Sequence, residues 1–111
     1  MKNFAKKWII QRITATILIP LTFWFVYNCL SFVSMNFDQL LLFFNSPINS
    51  FLFLIMMITM LIHGKLGCET VVNDYVKSKN LRYLYFLTIN FFAYLSILVV
   101  IFSISKILFN D

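Results

Sequence analysis

The middle of the chain decides its fold: residues 47–62 read PINSFLFLIMMITMLI, and residues 63–72 continue as HGKLGCETVV. The first stretch is strongly apolar and opens on Pro47, a favourable residue for the first turn of a helix. A helix that spans a membrane needs about 20 predominantly apolar residues. We therefore expect one helix over about residues 47–73, whose final turns carry ionisable side chains at membrane depth.

Comparable apolar runs lie on either side, over about residues 8–34 and 82–109. Pro20 interrupts the first run, but a membrane helix tolerates proline because neighbouring groups satisfy the freed carbonyl. The runs are continuous and not alternating, which excludes a transmembrane β-barrel. We predict an all-α membrane protein with three transmembrane helices in a single membrane-anchor domain, residues 1–111, and we interpret the Asn and Ser of the connection over residues 35–49 as ordinary loop residues.

The composition agrees with a membrane protein. The chain is 61% hydrophobic and 12% charged, whereas about a quarter of the residues of a soluble domain are charged. The net charge of +5 does not indicate a nucleic-acid partner, because the basic residues gather at the ends of the apolar runs and form no basic face. The partner that this composition predicts is a lipid membrane.

The distribution of Lys and Arg predicts the orientation of the helices. Most of these residues lie near the start of the first helix or between the second and third helices: Lys2, Lys6, Lys7, Arg12, Lys77, Lys79 and Arg82. The connection over residues 35–49 has none, and the C-terminal end has only Lys106. We therefore expect the N-terminus inside and the C-terminus outside. Cys29 and Cys68 then lie too far apart for a disulfide, whose Cα atoms are within about 7 Å, and both should be free thiols.

His63 is the only histidine in the chain, and an ionisable side chain inside a span costs roughly 2.5–3.5 kcal/mol. It is either hydrogen-bonded to a neighbouring helix or an axial haem ligand. Gly67 lies one turn later on nearly the same face, where the missing side chain leaves room for a flat macrocycle, although small residues also let two helices approach. A bis-histidine haem would take its second ligand from another chain.

Asp74 and Tyr75 form a second candidate site. At about 100° per residue, Asp74 returns to the helix face of His63, nearer the inner surface. A carboxylate beside a phenol can deliver a hydrogen bond and a proton to a lipid-soluble acceptor. The alternatives are that Tyr75 belongs to an interfacial aromatic belt and that Asp74 caps the helix or pairs with Lys77.

Three further observations concern polar residues in the first two helices. Arg12 could extend to lipid phosphate or hold an anionic group such as a haem propionate. Thr14 and Thr16 could hydrogen-bond to their own helix or join the polar cluster. Lys65 and Glu69 have the i, i+4 spacing of a helical ion pair, which we interpret as structural.

Two segments resemble a known family. HGKLG (63–67) followed by NDYVK (73–77) resembles the H-x-x-x-G…D-Y signature of the small hydrophobic membrane-anchor subunit of succinate dehydrogenase. WIIQRITA (8–15) is similar to the W-x-x-Q-R-x-T-A entry to the first helix of that family. Three crossings with the N-terminus inside also agree. The resemblance is confined in sequence to these segments but covers most of the chain in architecture.

The resemblance implies a role for each matching residue. His63 corresponds to the axial ligand of haem b, the opposite ligand coming from a second, larger anchor subunit. Tyr75 matches the tyrosine that hydrogen-bonds a ubiquinone carbonyl, and Asp74 the acid that supports it. Arg12 matches an arginine near the haem propionates and the quinone pocket.

The resemblance also implies a function: the membrane anchor of succinate:quinone oxidoreductase, respiratory complex II. The chain would be an enzyme subunit without a complete active site, assembled with a flavoprotein and an iron–sulfur subunit, in a bacterial cytoplasmic or mitochondrial inner membrane. Two alternatives remain open. One is a small transporter with a proton relay through His63, Lys65, Glu69 and Asp74, and the other is a structural subunit of another respiratory complex.

Overall fold

The structure, a computed structural model, describes residues 2–109, with side chains from Ala5 onward. Met1, Asn110 and Asp111, the ends of the expected domain, lie outside the described residues, as does the side chain of Lys2. In the described part of the chain four helices follow one another: α1 (Lys2–Phe32), α2 (Phe37–Asn45), α3 (Pro47–Tyr75) and α4 (Lys79–Phe109).

Three of these helices are long and apolar enough to cross a membrane, namely α1 from Ala5, α3 and α4. Their 28, 29 and 31 residues correspond to about 42–46 Å at 1.5 Å per residue, more than the roughly 30 Å of a hydrocarbon core. Large apolar side chains such as Phe23 and Leu30 are more than 70% exposed, which suits a lipid environment. The prediction of three membrane helices is confirmed.

The helices extend beyond the apolar runs where polar residues continue them. α1 begins at Lys2 and not at Trp8, passes through Pro20 and ends at Phe32. α4 begins at Lys79, ahead of the apolar run that starts near residue 82. Polar turns at a membrane surface are invisible to a search for apolar residues, although their backbone hydrogen bonds continue the same helix.

The middle helix, α3, packs against both α1 and α4. His63 in the second half of α3 contacts Thr14 in the first half of α1, whereas Phe53 near the start of α3 contacts Phe25 in the second half of α1, so the two helices are antiparallel. A connection of residues 76–78 then returns the chain into α4. The start of α1, the end of α3 and the start of α4 therefore share one end of the bundle, which we call the basic end.

The connection between α1 and α3 is not the ordinary loop that we expected over residues 35–49; that expectation was wrong. It contains α2, which begins with a capping box: Asn36 Oδ1 accepts from Gln39 N–H at 2.9 Å, and Gln39 Oε1 accepts from Asn36 N–H at 3.0 Å. These bonds satisfy backbone N–H groups that a helix start otherwise leaves free. The Asn-x-x-Gln spacing was present in the sequence as a signal.

Aromatic rings hold α2 against the bundle at the end opposite the basic end. The Phe43 ring lies 4.9 Å from Phe32 and 6.2 Å from Trp24, both on α1, and the Phe44 ring lies 5.1 Å from Phe53 on α3. Such pairs contribute about 0.5–1.5 kcal/mol each beyond burial. The short helix is thus fixed by packing on both neighbours.

The two cysteines lie on different helices. Cys29 is near the end of α1 and half-buried, and Cys68 is in the second half of α3 and exposed. The antiparallel arrangement places them in opposite halves of the bundle. Both are free, as predicted.

Candidate functional site

His63 lies at the interface of α1 and α3, hydrogen-bonded across it. Its Nδ1 is 2.9 Å from Oγ1 of Thr14, which also lies 2.8 Å from the carbonyl oxygen of Ile10. Thr14 is buried and His63 half-buried. Nδ1 is the ring atom with a hydrogen-bond partner among residues 5–109; Nε2 has none there.

A cleft of about 400 Å³ opens beside His63, between α1 and α3, and extends toward the basic end. Its lining residues are Lys7, Trp8, Gln11, Arg12, Ala15, His63, Thr70, Asn73 and Asp74. Three of the predicted site residues, His63, Arg12 and Asp74, therefore meet around one space. Gln11 Oε1 is buried beside it without a hydrogen-bond partner among residues 5–109, so the cleft presents an acceptor that requires a donor from water or a ligand.

Arg12 lies at the cleft with its guanidinium carbon 5.0 Å from the centre of the Trp8 ring. It is exposed and takes part in no ion pair within residues 5–109. Stacking on Trp8 restricts the side chain without neutralising its charge. An anionic group in the cleft would thus find a free positive charge.

Asp74 and Tyr75 end α3. Asp74 is exposed and lines the cleft. Tyr75 is 80% exposed and is not among the lining residues. The phenol of Tyr75 therefore lies on the surface of the basic end, where a neighbouring molecule can contact it, and not inside the cleft.

The two glycines of α3 create a flat surface next to His63. A second groove, of about 540 Å³, is lined by His63, Gly64, Gly67, Cys68, Val71, Val72 and Ile89. A Cβ built on Gly64 would meet nothing within 4 Å, and one on Gly67 would lie 3.8 Å from Nε2 of Gln11, an ordinary contact. Neither glycine is needed to let the helices of this chain approach. Their small size instead leaves His63 open on an outward face.

Glu69 is the most buried charge of the site. Its carboxylate lies 3.1 Å from Lys7 Nζ and 3.3 Å from Lys65 Nζ, with the side chain 5% exposed. The expected pair of Lys65 and Glu69 is confirmed, and Lys7 adds a link to α1. The ammonium groups also approach rings of α4, Lys7 at 5.5 Å from Phe86 and Lys65 at 5.9 Å from Tyr94. This charge cluster connects all three spanning helices.

The described residues contain no group of three or more His, Cys, Asp or Glu that could hold a metal ion. His63 offers one nitrogen ligand. A metal bound through it would need further ligands from a macrocycle or another chain.

Comparison with known proteins identifies the family of this chain. A family model described as the transmembrane subunit of succinate dehydrogenase/fumarate reductase matches residues 4–102. The chain belongs to this family. The resemblance found in the sequence is thereby confirmed, and the family assignment together with the three spanning helices makes the chain an integral membrane protein.

Similar family members come from Rickettsia species and are named succinate dehydrogenase hydrophobic membrane anchor subunit. The Rickettsia bellii protein is 31% identical over 103 residues, which cover 93% of this chain and 82% of that protein. The Rickettsia typhi protein is 28% identical with the same coverage, and the Rickettsia prowazekii protein is 28% identical over 96 residues, or 86% and 77% of the two chains. The similarity therefore spans nearly the whole of this chain.

Several residues of the cleft in this family member were not predicted as site residues: Lys7, Trp8, Gln11 and Asn73. A signal was present, because Lys7 and Gln11, like Trp8 and Arg12, are four positions apart and so share a face of α1. In the sequence alone, Lys7 indicates orientation, Trp8 and Gln11 belong to the entry to the first helix, and Asn73 belongs to the NDYVK segment. Only the packing of α1 against α3 shows that these residues line one cleft together with Arg12.

Replacing Glu69 with Ala is expected to lower the free energy of unfolding by about 3 kcal/mol, because two ammonium groups then lose a buried counter-ion. Equilibrium denaturation in detergent micelles measures this loss. The matched control is Asp38→Ala, which removes an exposed carboxylate from the start of α2 and should cost no more than about 1 kcal/mol. Equal losses in the two variants would show that the charge cluster does not stabilise the bundle.

Proposed function

We propose that the chain is the small membrane anchor of a bacterial succinate:quinone oxidoreductase. In this proposal it pairs with a second, larger anchor subunit and attaches a flavoprotein and an iron–sulfur subunit to the cytoplasmic membrane. The observation that carries the proposal is the meeting of His63, Arg12 and Asp74 around one cleft at the basic end, within a chain of this family. The names of the Rickettsia relatives support it.

The residues fit a shared haem b. The Nε2 atom of His63 has no partner among residues 5–109, and the glycine surface beside it suits a planar group. Arg12, which forms no ion pair among the same residues, would hold a propionate. Because the chain has one histidine, a second protein ligand would have to come from the larger anchor. Haem b, when bound, would supply a one-electron store.

The residues at the end of α3 suit a quinone. Reduction of a quinone to a quinol takes two electrons and two protons; in this proposal the electrons come from the iron–sulfur subunit. The exposed hydroxyl of Tyr75 would donate a hydrogen bond to a quinone carbonyl, which orients the ring and stabilises the charge that develops on the oxygen. The Asp74 carboxylate and water would carry two protons, one after the other, from the aqueous side to the two quinone oxygens, the tyrosine hydroxyl being reprotonated each time it donates.

The orientation follows from the same proposal, with the basic end on the cytoplasmic side. We expect a membrane-impermeant maleimide, added to intact cells whose protein lacks Cys29 and Cys68, to label Asp38→Cys and not Lys77→Cys. Both positions are exposed, so they form a matched pair. Labelling of Lys77→Cys alone would show that the basic end faces the outside and would contradict the proposed orientation.

Purification of the tagged chain in a mild detergent tests the function. We expect a flavoprotein, an iron–sulfur protein and a second hydrophobic subunit to co-purify with it, and the purified complex to have succinate:quinone reductase activity. The proposal would be contradicted if the chain purified alone and its host membrane had no succinate:quinone reductase activity.

A proton-relay transporter receives less support. His63 is not joined to the other three relay residues: no hydrogen bond within residues 5–109 links it with Lys65, Glu69 or Asp74. Glu69 is held between two ammonium groups, which favours a fixed charge over a group that changes its protonation.

A further inference from the structure

We propose that Thr14 selects the tautomer of His63. Its hydroxyl oxygen accepts a hydrogen bond from Nδ1–H, which leaves the lone pair of Nε2 free for a metal. Thr14 is thus a positioning residue that acts through the imidazole. The tautomer is a property of this chain alone, whereas its use for ligation rests on the proposed function.

The hydrogen bonds around Thr14 determine the direction of the contact. Oγ1 lies 2.8 Å from the carbonyl oxygen of Ile10, 3.0 Å from that of Gln11 and 2.9 Å from His63 Nδ1. A hydroxyl has one proton, and carbonyl oxygens only accept. If that proton pointed at Nδ1, the lone pairs of Oγ1 would face two carbonyl oxygens at short range. The arrangement is favourable when the hydroxyl donates within α1 and accepts from Nδ1–H.

The surroundings make this bond effective. Thr14 is 7% exposed, so water does not compete for its oxygen, and a hydrogen bond is stronger where the local dielectric is low. A neutral imidazole otherwise carries its proton on either nitrogen. The partner is 49 positions away in the sequence, so the preference arises only when α1 and α3 pack together.

The consequence for a metal is direct. A ligating histidine almost always donates its other ring N–H to an acceptor, which holds the ring and raises the basicity of the ligand nitrogen. Thr14 supplies that acceptor from a different helix. A shift of α1 along α3 would therefore change both the ring orientation and the tautomer.

The single histidine permits a direct test on the full chain in detergent micelles. Labelling with ¹⁵N-histidine and recording the ring nitrogens by NMR at about pH 8.5, where free imidazole is neutral, distinguishes the tautomers. We expect the Nδ1–H form in the unmodified chain and in Thr14→Ser, which keeps the hydroxyl. Thr14→Val keeps the shape without the hydroxyl and should increase the Nε2–H form at least several-fold.

Thr16→Val is the matched control, because Thr16 is an exposed residue of α1 whose hydroxyl donates to Arg12 O at 2.9 Å. It should leave the ring nitrogens unchanged. An Nε2–H form in the unmodified chain, or an identical tautomer in Thr14→Val, would overturn the proposal. Circular dichroism of each variant shows whether a changed signal reflects loss of the helices, and Thr14→Ser provides the rescue.

A second readout uses the assembled complex and separates this inference from the function on which it rests. We expect Thr14→Val to move the midpoint potential of the haem to more positive values, since a less basic ligand favours ferrous iron, and Thr14→Ser and Thr16→Val to leave it unchanged. An unchanged potential in Thr14→Val would refute the role of Thr14 while the anchor function stands. A complex without haem would refute the haem assignment, and the tautomer experiment would still decide the role of the hydroxyl.

Discussion

His63→Ala is expected to remove the b-type absorbance of the purified complex. Replacement of a residue that merely supports a metal ligand commonly costs 10–100-fold in metal affinity, so loss of the ligand itself should lower haem content by at least about tenfold. The expectation follows from the free Nε2 atom and the glycine surface beside it. Reduced-minus-oxidised spectra, normalised to flavin, measure the effect.

Two variants make this result specific. His63→Gln retains an amide N–H that can donate to Thr14, so it separates loss of the iron ligand from loss of the link between α1 and α3. Cys68→Ala removes the other metal-binding side chain of the same groove and should leave the spectrum unchanged. A normal b-type spectrum in His63→Gln, or a loss confined to Cys68→Ala, would exclude His63 as the ligand.

Tyr75→Phe is expected to lower quinone reduction by about 10- to 100-fold, since a hydrogen bond to a group that becomes charged contributes about 1.5–3 kcal/mol and each 1.4 kcal/mol corresponds to a tenfold change in rate. Oxidation of succinate by an artificial acceptor should be unchanged, because in the proposed complex that reaction would take place in the soluble subunits. The side chain is 80% exposed, so removing its hydroxyl should leave the fold and the assembly intact.

The matched control is Tyr83→Phe. Tyr83 is 66% exposed near the start of α4, at the same end of the bundle, so it reports any general effect of losing an interfacial phenol. An equal fall of both activities in Tyr75→Phe would indicate impaired assembly. An equal fall of quinone reduction in the two variants would remove the specific role of Tyr75.

The sequence predicted the spanning helices because each depends on a local property, a long apolar run. It also predicted the pair of Lys65 and Glu69, since an i, i+4 contact lies within one helix. It did not predict α2, although Asn36 and Gln39 have the spacing of a capping box, because this nine-residue helix is too short to be stable alone and is held by ring contacts with α1 and α3.

For the candidate site, sequence reasoning identified His63 but left open whether it was hydrogen-bonded to a helix or available to a ligand. In the structure the helix contact uses one of the two ring nitrogens, so the hydrogen bond is shown and leaves the other nitrogen available for the proposed ligation. The structure likewise places Arg12 and Asp74 at one cleft and Tyr75 outside it. The assignment of haem and quinone to these residues stays a prediction.

By itself the sequence determined that this is a helical membrane protein, which side chains interrupt its apolar segments and which family it joins. The tertiary structure decided which of those side chains are partners: Thr14 with His63, Lys7 with Glu69, and the rings that fix α2. The physical reason is that hydropathy and helical periodicity act over neighbouring residues, whereas a contact between α1 and α3 depends on how two helices are rotated and shifted against each other.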